Sequence, residues 1–181
     1  MKKFILLPAL ILLLTQCAKE TPRFQIERGK IDLITENTTV KEIDSLYAND
    51  SVVRQNIKNK FVTNRNIEIF EKGGKKLLSL SPALKGADTS KINHIQVFDN
   101  RFTTPKRAHL GSTFKAFRDQ YEIKSIDRLL TSISVSFKNQ DFYVTIDLNE
   151  LPAELKFQRE TKIESIHIPD GAKIKHLMIS W

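Results

Sequence analysis

The chain has 181 residues, 40% of them hydrophobic, with 29 Lys+Arg against 21 Asp+Glu, a formal net charge of +8 and a single Cys. That length suits one domain or two very small ones and leaves no room for a separate cofactor module, and one Cys excludes both an intramolecular disulfide and a cysteine-rich zinc site. Ordinary hydrophobicity with only 6 Gly and 6 Pro excludes a disordered or fibrous chain.

Residues 1–16 read as a secretory signal, because Lys2 and Lys3 precede an apolar run from Phe4 to Leu14. As helix that run rises about 16 Å, roughly half a bilayer core, so it is too short to span one. It ends at Leu14-Thr15-Gln16-Cys17, which resembles the lipobox of bacterial lipoproteins, whose Cys carries the lipid and becomes the mature N-terminus. Gln16 departs from that pattern, in which a small residue precedes the Cys. Cys17 is therefore the expected lipid attachment site, and residues 17–28 the lipidated N-terminus and tether, polar at Lys19, Glu20, Thr21, Pro22 and Arg23.

Residues 29–181 read as one α+β domain made of two tandem repeats, about 29–99 and 103–181. Thr38–Tyr47 aligns with Ser112–Tyr121, and both predict a helix. Val40, Ile43, Leu46 and Tyr47, like Phe114, Phe117 and Tyr121, follow the three-to-four spacing of one apolar face. Thr39 and Glu42 have capping-box spacing, and Ser112 is the matching cap. The segment from Asn49 to Asn66 predicts a long loop with one weak strand. Two hairpins follow the helices: Ile67–Phe70 with Leu77–Leu80 across a Gly73-Gly74 turn, and Ile133–Phe137 with Phe142–Ile146. The proline-led stretches Ser81–Lys85 and Leu151–Lys156 match each other. Lys91–Asp99 pairs in the same way with Lys162–Asp170, and Lys173–Trp181 is the closing strand. Asp99-Asn100 and Asp170-Gly171 suit tight turns at positive φ. The expected architecture is strand, helix, hairpin and strand, twice over, as antiparallel sheet with the helices packed on one face.

Gly29-Lys30-Ile31 leading to Thr38-Thr39, Ile69–Gly73, Lys91–Asp99, Leu110-Gly111-Ser112-Thr113-Phe114 and the closing Lys175–Trp181 resemble the RpoE (sigma-E)-regulated envelope lipoprotein family of Gram-negative bacteria. The resemblance covers Gly29 to Trp181 and rests on turns, caps and strands. It implies a lipid-anchored envelope protein linked to envelope stress. It implies no catalytic residue.

The chemistry-bearing residues favour the same conclusion. His94, His109, His167 and His176 include no pair spaced to place two ligands on one helix face, so no metal site is expected. Gly73-Gly74-Lys75-Lys76 lacks the first Gly and the Ser/Thr of a phosphate loop and falls in a hairpin. Asp147, Glu150 and Glu154 are the acids nearest to a cluster, but a helix start explains them equally well. Ser112 and Ser134 lack a nucleophile elbow. No catalytic residue, cofactor or nucleic-acid partner is expected. Lys72, Lys75 and Lys76 at one hairpin tip, with Lys58, Lys60 and Arg65 in the preceding loop, are candidate contacts for an anionic envelope component. Lys-rich tips also simply keep sheet edges from pairing.

Two functions follow. The first is a non-catalytic, outer-membrane-anchored lipoprotein, facing the periplasm or the surface, that binds an envelope protein or anionic component through its sheet face or basic hairpin. The second is a small periplasmic cell-wall hydrolase using clustered carboxylates. A hydrophobic-ligand carrier would need a hollow core, which Phe114, Phe117, Phe137 and Phe142 suffice to fill.

Overall fold

The computed structural model describes residues 23–54, 66–84, 87–157 and 161–181. Cys17, Lys58, Lys60 and Arg65 lie outside the described residues. The chain first forms a small antiparallel sheet of β1 (Ile26–Glu27), β2 (Lys30–Ile31) and β3 (Ile34–Thr35). A 3-10 turn at Val40–Glu42 runs into α1 (Ile43–Leu46), and the strands β4 (Ser51–Arg54), β5 (Ile67–Phe70), β6 (Lys76–Pro82) and β7 (Ile92–Val97) follow. The second half has α2 (Phe114–Arg118), β8 (Ile123–Arg128), β9 (Ser132–Phe137) and β10 (Phe142–Asp147), then α3 (Ala153–Phe157) and β11 (Ile174–Ser180). The larger sheet has eight antiparallel strands in the order β4-β5-β6-β7-β11-β10-β9-β8.

This is a mostly β structure, and the expected α+β arrangement of tandem repeats with helices packed on one sheet face does not form. α1 and α2 are single turns of four and five residues. Over about ten residues, apolar spacing of three and four is satisfied by one turn as well as by three, and so short a helix has little stability of its own. Phe114 and Phe117 anchor α2 in the core, and the chain then leaves as β8, a strand the sequence reading did not anticipate. The capping box is present: Glu42 Oε2 accepts from Thr39 N at 2.8 Å. Ser112, by contrast, caps nothing in α2, whose N-cap is Thr113; its Oγ accepts from His109 N at 3.1 Å.

The third sequence match is also corrected. Residues 162–170 contain a 3-10 turn at Ser165–His167, not a strand. The counterpart of Lys91-Ile92-Asn93-His94-Ile95-Gln96-Val97 is Lys173-Ile174-Lys175-His176-Leu177-Met178-Ile179, the two sharing Lys-Ile-X-His. Each segment begins beside a threonine, Thr39 against Lys91 and Thr113 against Lys173. The flanking backbone bonds correspond, with Val40 N to Ser90 O at 2.9 Å and Phe114 N to Ala172 O at 2.8 Å. β7 and β11 pair with each other around Gln96 opposite Met178. Two four-stranded meanders thus meet at the centre of one sheet, related by a pseudo-twofold axis at that pair. Asp99-Asn100 and Asp170-Gly171 do not use positive φ; Gly73 (φ 114), Gly74 (φ 88) and Asn139 (φ 56) do, in the two hairpin turns.

Strand alternation decides the layers. Ile67, Ile69, Leu78, Leu80, Ile95, Val97, Leu177, Ile179, Val144, Ile133 and Val135 turn to one side of the large sheet and are buried. There they join Ile26, Ile31 and Ile34 of the small sheet, Tyr47, Phe102, Phe114 and Phe117 in one apolar cluster. Phe117 lies 5.8 Å from Phe137, and Tyr121 meets Phe142 edge-on at 5.0 Å, ring centre to ring centre. Each such side chain contributes roughly 1.5–3 kcal/mol by leaving water. Phe114, Phe117, Phe137 and Phe142 are all buried in this cluster.

Candidate functional site: the outer face of the large sheet

The side chains that alternate with the core residues point the other way and form a second, polar face. Strand register sets one row across it: Glu68, Ser79, Gln96, Met178, Tyr143, Ser136 and Ser125, on β5, β6, β7, β11, β10, β9 and β8. Beside this row run Ser81, His94 and Ser180 on one side, and Asp127, Ser134, Thr145 and His176 on the other. From β6 to β8 the row crosses about 24 Å at the usual strand spacing. In a chain with 29 Lys+Arg and 21 Asp+Glu, the middle of this face carries no charge. It offers hydroxyls, an amide, two imidazoles, a thioether and one phenol ring.

Few of these groups bond to one another. Thr145 Oγ1 lies 3.0 Å from His176 Nδ1, Ser81 Oγ donates to Asn66 Oδ1 at 3.0 Å, and Ser125 Oγ donates to Asp127 Oδ2 at 2.8 Å. Among the described residues, the side chains of Ser79, Gln96, Ser134, Ser136 and Tyr143 have no such partner. Apart from Ser79, which is buried, they are half-exposed and reach water. Burial raises the Tyr143 pKa, so the phenol stays a neutral donor. Burial, and next the Lys175 charge, lower that of His176, so its ring is neutral at neutral pH. His94, at the position corresponding to His176 on the other side of the pseudo-axis, is exposed.

The basic hairpin has a different character. Lys72 is exposed at the tip. Lys75 Nζ pairs with Asp99 at 3.1 Å, and Lys76 Nζ pairs with Glu68 at 2.9 Å while sitting 4.0 Å from the Phe98 ring centre. Arg101 grips Glu71 through both guanidinium nitrogens at 2.9 Å and also reaches Asp99. Two of the three tip lysines are thus committed to carboxylates, so the field available to an anion is smaller than the Lys count suggests.

The acids and histidines are dispersed. Asp147 caps the turn after β10 by accepting from Asn149 N at 2.9 Å, and it pairs with Lys175 at 2.8 Å. Those bonds, the Lys175 one first, hold its carboxyl below the usual range, opposite to the shift a general acid needs. Glu150 accepts from Lys173 N at 3.2 Å, and Glu154 is exposed in the first turn of α3. His109 Nδ1 accepts from Gly111 N and His167 Nδ1 from Glu164 N, each at 3.1 Å. No group of three metal-ligating side chains occurs among the described residues.

Sequence reading found the alternation of β9 and the two hairpins but missed the outer face as a unit, because strand order is not a local property. One signal was available: the recurrence of Lys-Ile-X-His at Lys91 and Lys173 makes Gln96 and Met178 equivalent positions, although only strand order sets them opposite each other.

No protein family and no curated protein matches this chain. Among solved structures it is similar to the uncharacterized protein YfeY from Escherichia coli, with a TM-score of 0.53 and 11% identity over 88% of this chain and 100% of that one. The likeness is one of fold. No helix among the described residues is long and apolar enough to cross a membrane.

Proposed function

We propose that this chain is a bacterial envelope lipoprotein of the RpoE-regulated kind, anchored to the outer membrane through Cys17, that acts by binding an envelope protein on the outer face of its large sheet. The observation that carries the binding role is the uncharged row Ser79, Gln96, Met178, Tyr143 and Ser136, with donors and acceptors unspent inside the fold. Such a face pairs with neutral polar groups on a partner, because a hydrogen bond formed there replaces water contacts without stranding a charge. The anchor is supported by Lys2-Lys3, the apolar run to Leu14, and the position of Cys17. Likeness in fold to an E. coli protein is compatible with that setting.

The test replaces Ser136 or Gln96 by a photo-crosslinking amino acid in cells and compares both with the same replacement at exposed Lys162. One shared adduct from the two sheet positions and none from Lys162 is expected. No adduct from either sheet position overturns the binding face. Mass spectrometry of the Cys17 peptide from membrane fractions reads the anchor separately, with an acylated cysteine expected.

A further inference from the structure

Strand direction places several chain segments at one end of the large sheet: the β5–β6 turn, the exit of β7, the start of β11, the exit of β10 and the β8–β9 turn. The N-terminal segment enters at that same end. Phe24 packs edge-on against Phe102 at 5.2 Å and lies under the Arg101 guanidinium at 4.2 Å, and Arg101 holds Glu71 of the β5–β6 turn. Cys17 precedes Arg23 by six residues, a reach of at most about 20 Å. An acyl chain on Cys17 would keep this end of the sheet near the bilayer.

The β8–β9 turn at this end carries two consecutive exposed leucines, Leu129 at 47% and Leu130 at 84% of full exposure. Single exposed leucines are ordinary, whereas this pair forms a hairpin tip beside two shallow clefts. The clefts are lined by Arg128, Leu148 and Lys156, and by Asp147, Lys156 and Lys175, with Leu130 shared by both. Three cations and one carboxylate line these clefts: Lys175 is paired with Asp147, and half-buried Arg128 donates through Nη2 to the Leu155 carbonyl. Lys156 has no ion-pair partner among the described residues. Asp127, the acid next along β8, accepts from Ser125.

We propose that the Leu129-Leu130 tip dips into the surface of an anionic phospholipid bilayer, with Lys156, backed by the charge of Arg128, against the lipid phosphates. Apolar side chains entering the acyl boundary and cations at headgroup level are the two terms that hold peripheral proteins to membranes. One acyl anchor leaves a domain free to turn. A second contact at the same end fixes the sheet upright and leaves its outer face open to a partner. The proposal rests on the anchored reading for orientation, while its chemistry belongs to the tip.

The experiment reconstitutes the full acylated chain in phosphatidylcholine vesicles with and without brominated phosphatidylglycerol. Tryptophan emission is compared for the wild type, Leu130→Trp and Leu84→Trp. Leu84 is 68% exposed and lies at the opposite end of the sheet, as does Trp181, whose backbone N–H donates to the Asn93 carbonyl. Leu130→Trp should shift to the blue and be quenched severalfold more than the wild type by the brominated lipid, with Leu84→Trp unchanged; Lys156→Glu in the Leu130→Trp background should remove about half of that quenching. Vesicle co-sedimentation reports the anchor independently. A chain that sediments with vesicles but shows no extra quenching at position 130 overturns the tip and spares the anchor. A chain that fails to sediment at low lipid yet is quenched at high lipid supports the tip and sinks the anchor. Equal quenching at positions 84 and 130, or quenching at neither, overturns the proposal.

Discussion

Asp99→Asn should loosen the hairpin that carries Lys72 and Lys75. The Asp99 side chain is fully enclosed, and its carboxylate accepts from Arg101 N at 2.9 Å, Nε at 3.1 Å and Nη2 at 2.7 Å, and from Lys75 Nζ at 3.1 Å. Burial alone would raise its pKa; the bonds from Arg101 and Lys75 together outweigh burial and bring it from 3.8 to about 2. That lowering corresponds to about 2 kcal/mol held by the ionised form. Because the folded pKa is the lower one, the contribution is complete above the unfolded value of 3.8 and is lost as pH falls through about 2. Asparagine keeps the shape and one acceptor but removes the charge that faces two cations, so the variant should lose about 2 kcal/mol at neutral pH. Urea unfolding followed through Trp181 fluorescence measures this as a fall in midpoint at constant slope. Near pH 3 the wild type has itself surrendered about 1 kcal/mol, so the gap between the two proteins should shrink by that amount. An equal gap at both pH values, or a neutral-pH gap below about 0.5 kcal/mol, would refute the assignment of Asp99 as the charge that ties β7 to the hairpin.

Phe117→Ala removes a fully buried ring packed on Phe137 at 5.8 Å and Phe142 at 6.1 Å; it should cost about 3–5 kcal/mol in chemical denaturation, and a loss under about 1 kcal/mol would mean that α2 is not a core element. His176 should titrate below 6.5 in an NMR pH series, since partial burial disfavours its charged form; its stabilising contribution is then present above the unfolded value and lost as pH falls, and a midpoint above 6.5 contradicts the half-buried, Thr145-bonded ring.

Local features of this chain were legible because they depend on neighbours in sequence. The capping box needs only Thr39 and Glu42, three residues apart. The β5–β6 hairpin needs only the glycines that accept positive φ. Alternation in Ser132–Phe137 states that one side is apolar and the other polar. Helix length was not legible. An apolar face ten residues long is compatible with one turn or three, and the choice fell to packing, which buried Phe114 and Phe117 and then drew the chain into β8.

Tertiary structure alone decided the rest. The β7–β11 pairing joins residues about eighty apart, and only that pairing turns separate polar sides into one uncharged row from Ser79 to Ser136. It also decided the fate of the basic tip: Lys75 and Lys76 look free in the sequence, yet Asp99 and Glu68 reach them across the sheet. Leu129 and Leu130, ordinary turn residues in the sequence, acquire meaning only because antiparallel strand order sets them at the end where the chain enters. The physical reason is common to all three. Backbone sterics and side-chain periodicity act over a few residues, whereas strand order, ion pairing and exposure are set by contacts whose partners the chain meets only after it has folded.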